Sequence, residues 1–256
     1  MMVFCYNHHT QTDRDKAMFK KAIIVAVASL IVGCSANGVK QSVDAKAAVG
    51  GLQNYNVVED HNVSSNGKSL PVVVFLKKTE TIVVENGSKF KDTNSDYGSG
   101  IQWNEDYVVT AKHVNFVENT LFKCEEGCEI QFVKHKATGP VPVWRNLVAH
   151  EPLTFVGIDQ TNKLRAESGK DLDVQVFTKS NSVVKVNLAN NITVGGMSGG
   201  PAYGSDGKVV GMLTGGIYTS NRPELKAFGD DLSAFLSYDV IDKEWNKYQQ
   251  RNYMNK

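Results

Sequence analysis

The sequence predicts an all-β fold, and three observations carry that expectation. Glycine is abundant at 22 residues and proline scarce at 6 in a chain of 256. Val, Thr, Tyr and Phe recur in short runs, whereas long stretches of helical periodicity are scarce. The apolar runs are of strand length and recur every 10 to 20 residues, the spacing of a sandwich or barrel. With 41% hydrophobic residues the chain can bury one large core or two small ones. Its 28 basic and 27 acidic side chains nearly cancel. That balance argues against a nucleic-acid binder, which would show a basic face.

The elements follow in order. Residues 35–68 are polar and mixed and read as a tether. "LPVVVFLKK" (70–78) and "TIVVE" (81–85) are β-branched runs that read as strands, and "NGSKFKDTNSDYGSG" (86–100) reads as turn-rich. "IQWNEDYVVTAKHV" (101–114) reads as a strand, a turn at Asn104 to Asp106, and a second strand ending at His113. Further strands are expected at 129–134, 141–144, 153–158, 172–178, 182–188 and 208–214. The spaced Leu, Phe, Ile and Trp of the last segment suit an amphipathic helix from about Leu232. No internal repeat or low-complexity tract interrupts the chain.

The first 34 residues are set apart. "MFKKAIIVAVASLIVGC" places two lysines before an apolar run ending at Cys34, the pattern of a secretory signal and too short for a comfortable membrane span. Its end, Ile31-Val32-Gly33-Cys34, resembles the lipobox of bacterial lipoproteins. That resemblance implies a lipid-modified Cys34 and a chain anchored in the cell envelope. Ser35, in place of an aspartate retention signal, favours the outer membrane on its periplasmic side. Residues 1–17 are read as lying upstream of a start at Met18, and Cys5, His8 and His9 are given no role. Cys124 and Cys128 can close a small disulfide loop in an oxidising compartment. With only His135 nearby they fall short of a zinc site, so no metal is expected.

Three short stretches carry chemistry. "VVTAKHV" puts His113 at the end of an apolar strand, "KDLDVQVF" puts an acid before alternating apolar residues, and "GGMSGGP" puts Ser198 among glycines. Serine hydrolysis needs a nucleophile, a base beside it, a carboxylate fixing the base, and backbone N–H groups facing the oxyanion. The order His, Asp, Ser is one of the known orders for that geometry.

On these residues the chain resembles the chymotrypsin/trypsin-like serine peptidases, particularly their bacterial, disulfide-poor branches. Thr110-Ala111-Lys112-His113-Val114 matches the histidine motif, and Gly196-Met197-Ser198-Gly199-Gly200-Pro201 matches the nucleophile motif. Gly98-Ser99-Gly100 and "GKVVGMLTGG" (207–216) also fit, so the resemblance covers roughly residues 68 to 240. It implies two six-stranded antiparallel barrels meeting near 145–165, a peptidase domain over 69–240 and a helical tail over 241–256. It further implies a catalytic His113 and Ser198, with Gly196 and Ser198 supplying the oxyanion N–H groups. The acid is assigned to Asp173, with Asp171 as the alternative.

The implied activity is endopeptidase cleavage through an acyl-enzyme, without metal or organic cofactor. The alternative is an inactive relative that binds peptides or envelope proteins. Ile192, six residues before the nucleophile, stands at the family's specificity floor, with Thr193 beside it and Thr214-Gly215-Gly216 as the opposing wall. No acid is present to receive Lys or Arg, so small or apolar side chains are expected in the pocket. Lys112 replaces a small residue and Val114 a cysteine. Met197 replaces the acid that, in animal members, pairs with a new N-terminus after zymogen cleavage.

Overall fold

The computed structural model describes residues 47–85, 88–177 and 182–254, with side chains from Asn56 onward. The chain falls into two compact units. Among the described residues, one comprises 56–77 and 96–254 and holds both candidate-site halves; the other comprises 47–55 and 78–95. Within the second unit the buried Glu80 carboxylate pairs with Lys91 at 2.5 Å.

The N-terminal strands are β1 (Ala47–Ser65), β2 (Lys68–Glu85), β3 (Ser88–Gln102), β4 (Tyr107–Ala111), β5 (Thr120–Lys123) and β6 (Ile130–Lys134). They form one sheet in the order β1-β2-β3-β4-β6-β5. The C-terminal strands are β7 (Pro152–Ile158), β8 (Leu164–Val176), β9 (Val186–Ala189), β10 (Pro201–Gly204), β11 (Val209–Tyr218) and β12 (Asp231–Ser237). These close into a ring, β10-β11-β12-β9-β8-β7, and the chain ends in helix α1 (Tyr238–Met254).

The expected pair of six-stranded barrels is therefore corrected. The first six strands make an open sheet with β1 and β5 as its edges, and only the C-terminal ring is closed. Closure requires the two end strands to pair, and here a 19-residue β1 and a 4-residue β5 sit at opposite ends of the order.

Several local expectations also change. The latter part of the expected tether is β1, joined to β2 by Asn66 and Gly67, both at positive φ (50° and 73°). That is the two-residue turn whose twist matches a hairpin. Residues 88–100, within the stretch 86–100 read as turn-rich, belong to strand β3, whose outer residues are exposed and mostly polar. The segment 231–237, read as the start of a helix, is strand β12, and α1 begins at Tyr238. β12 lies between β11 and β9, so both of its edges are paired, and every residue from Leu232 to Ser237 is buried. Such a two-sided apolar run does not distinguish strand from helix by period. Residues 141–144 form no strand; Trp144 makes a single bridge to Val209.

Candidate active site

The histidine is positioned by the end of β4. Beyond Ala111 the chain turns sharply, the Val114 N–H donating to the Ala111 carbonyl at 3.0 Å. The fully buried Gln131 amide holds this turn, donating to Ala111 O at 3.0 Å and Val114 O at 2.8 Å. Val114 fills the space over Gly98, where even a methyl would fall 2.3 Å from its Cγ1.

β4 pairs with β6 so that Ala111 faces Ile130, and the Lys112 N–H donates to Glu129 O at 3.1 Å. This register puts residue 129 abreast of residue 112, the neighbour of His113. The His113 Nδ1–H accordingly donates to Glu129 Oε2 at 3.1 Å. A carboxylate only accepts, so this contact assigns the ring proton to Nδ1 and makes Nε2 the basic nitrogen.

The acid expected beside His113 is elsewhere. Asp173 is exposed on β8 at φ 53°, within an irregular stretch of the β8–β9 pairing, and its N–H donates to Asp171 Oδ2 at 3.0 Å. Asp171 is buried at 1% exposure and holds the backbone, its Oδ2 also accepting from His150 N. The carboxylate that meets His113 is Glu129, which the sequence reading passed over.

Ser198, 8% exposed, lies on the loop between β9 and β10. Gly196 and Gly199 hold positive φ, +94° and +86°, where side chains are strained. A methyl on Gly199 would fall 2.1 Å from both Ser99 O and Thr110 Oγ1, so the loop rests directly on β3 and β4. A methyl on Gly196 would fall 2.7 Å from Ile158 O. The Gly196 N–H meets no acceptor among the described residues.

Ser99 ties this loop to the N-terminal sheet. Its N–H donates to Ser198 O at 2.9 Å, and its hydroxyl donates to Gly196 O and accepts from Ile158 N, each at 3.0 Å. Met197 is fully buried in a cluster with Leu153, Phe155, Val210, Leu213 and Phe235. The loop is thus clamped by hydrogen bonds on one side and seated by an apolar side chain on the other.

The pocket residues divide. Ile192 is 57% exposed and does not form a buried floor. Thr193 is buried, and its hydroxyl meets that of Ser233 on β12 at 3.1 Å, while Ser233 Oγ donates to Asn191 O. On β11, Gly216 pairs with Ser233, Gly215 pairs with Ala234, and the Thr214 hydroxyl donates to Ala234 O at 3.0 Å. Ser233 was not anticipated.

Cys124 and Cys128 form a disulfide. Cys34 and the signal-like segment lie outside the described residues. Among the described residues no helix is long and apolar enough to cross a membrane. Nor do they hold a cluster of three or more side chains able to bind a metal ion.

Solved structures share this fold. The active form of the Rv3671c protease from M. tuberculosis superposes with a TM-score of 0.50 at 14% identity, over 60% of this chain and 74% of that one. The fold is that of the HtrA/trypsin-like serine proteases. The HtrA-type protease AlgW with a decapeptide gives a TM-score of 0.51 at 12% identity, over 65% of this chain and 55% of that one. A second AlgW structure with a decapeptide gives 0.52 at 10% identity, over 66% and 56%. The trypsin-like region here thus spans little more than half of the AlgW chains. No protein-family model and no curated protein matches the sequence.

Proposed function

We propose that the protein is a serine endopeptidase that works through Ser198, His113 and Glu129. The observation that carries this reading is the His113–Glu129 contact at 3.1 Å, on the edge of the sheet against which the Ser198 loop is packed. It fixes the histidine in the tautomer a general base needs.

In this mechanism Ser198 Oγ attacks the scissile carbonyl and passes its proton to His113 Nε2. Glu129 stabilises the imidazolium so formed and holds the ring in place. The N–H groups of Gly196 and Ser198 receive the negative oxygen of the tetrahedral intermediate. His113 then gives its proton to the leaving amine, and water, activated by the same ring, hydrolyses the acyl-enzyme. The Thr193 and Ser233 hydroxyls, with glycines opposite, make a neutral pocket. It suits small or weakly polar side chains and offers a buried cation no countercharge. A lipid anchor at Cys34 would hold this activity at the surface of a bacterial envelope membrane.

The decisive experiment uses a fluorophosphonate probe and a broad peptide and ester panel. Wild type is expected to be labelled and to hydrolyse, and Ser198→Ala to do neither. An unlabelled, inert wild type would overturn the enzyme reading in favour of a peptide-binding protein.

A further inference from the structure

Glu129 follows directly on Cys128, and the disulfide from Cys128 returns to Cys124, one residue past β5. Both cysteines are buried. The bond is part of the strand pairing itself. The Ile130 N–H, next in chain to Glu129, donates to Cys124 Sγ at 3.2 Å, and the Cys124 N–H donates to Ile130 O at 3.1 Å. Between the cysteines, Gly127 takes φ 82° and the Cys128 N–H closes onto Glu125 O.

The loop is also held from the histidine's side. Lys112, adjacent to His113, extends its ammonium to Cys124 O at 2.8 Å and Glu125 O at 3.0 Å. A lysine there lacks a carboxylate partner among these contacts and caps two carbonyls of the disulfide loop instead. The backbone bearing the base and the backbone bearing the acid are therefore joined through one small structure. A disulfide closing so short a loop constrains the unfolded chain least of all, so the main effect expected of it is geometric.

We propose that the Cys124–Cys128 disulfide and Lys112 act as a clasp that sets the Glu129 carboxylate against His113, so that full activity depends on the intact bond. This rests on the endopeptidase reading given above. Cys124, Cys128 and Lys112 are positioning residues, since none touches the reacting atoms. Reduction opens the clasp by thiol exchange. One thiolate of a dithiol attacks a cystine sulfur, and its second thiolate displaces the resulting mixed disulfide. Two electrons and two protons pass to the protein, leaving two cysteine thiols and a cyclic disulfide of the reagent.

The test is a double-mutant cycle on the full chain. Cys124→Ala with Cys128→Ala should lower kcat about 30-fold while KM stays within about 2-fold. Glu129→Gln, which costs about 10²- to 10³-fold in wild type, should cost only about 3- to 30-fold more in that background. Lys112→Met, with the disulfide intact, should give a smaller loss of the same kind, and Lys112→Arg should restore it. If the double alanine variant does not fold, Lys112→Met carries the cycle. Additive losses, or an unchanged kcat in the folded double variant, would overturn the clasp. The exchange-protected His113 Nδ1–H proton, read by NMR, separates the two proposals. Its presence in wild type and loss on opening the disulfide support the clasp even in a chain that hydrolyses nothing; its survival in the folded double variant counts against the clasp.

Discussion

Replacing Glu129 by Gln keeps the size of the side chain and removes its charge. In the proposed mechanism the group it faces becomes positive only when His113 accepts the serine proton, so the charge acts chiefly on the transition state. Two unit charges 3.1 Å apart interact by about 1.3 kcal/mol at a dielectric of 80 and about 5.4 kcal/mol at 20. The side chains are 28% and 27% exposed, which places the pair between these limits. A loss of roughly 3 to 4 kcal/mol corresponds to a fall in kcat of about 10²- to 10³-fold. KM should change little, because the charge pair is not formed in the ground state. Asp173→Asn is the companion variant, and as an exposed residue on β8 it should leave kcat within about 2-fold of wild type. Steady-state hydrolysis of one ester and one peptide substrate measures both. Wild-type turnover in Glu129→Gln, or the large loss appearing in Asp173→Asn instead, would refute the reasoning.

Two further outcomes follow from packing and charge. Met197→Ala removes a fully buried side chain from the C-terminal core and should cost about 3 kcal/mol in denaturant unfolding, with lowered kcat as the loop loses its seat; a cost below about 1 kcal/mol would contradict it. Asp159 lies behind the Ser198 loop, where burial raises its pKa but hydrogen bonds from Thr161, Lys163 and Arg165 outweigh that and lower it from 3.8 to about 2. The folded value lies below the unfolded one, so this stability is present above about pH 4 and is lost as pH falls towards 2, up to about 2 kcal/mol in all. Asp159→Asn should remove that part of the acid-side slope in unfolding measured against pH.

Candidate residues were legible where the pattern is local and illegible where pairing is distant. His113 and Ser198 stand in short motifs with their own backbone requirements, and the glycines around Ser198 meet those requirements in the positive φ of Gly196 and Gly199. The acid of the proposed triad was different. "KDLDVQVF" and "GCEIQFVK" both place a carboxylate before alternating apolar residues, so local pattern could not choose between them. The choice comes from the Ala111–Ile130 register of β4 and β6. Glu129 does lie 16 residues after His113, close enough for an adjacent antiparallel strand. The β1–β2 hairpin carried a plain signal at Asn66-Gly67 that the polar composition around it concealed. β12 was lost to helix because its apolar residues are buried on both faces and show no strand alternation. The open N-terminal sheet had no signature at all, since closure depends on which edges meet.

Met197 seats the Ser198 loop from within the core. A loop seated by an ionic partner can wait for that partner to be released; a loop seated by a buried thioether is assembled when the barrel itself condenses. Folding and readiness then coincide. In the proposed enzyme no cut is needed to seat the loop, so restraint would fall to where the chain is delivered, what reaches its cleft, and how long it lasts.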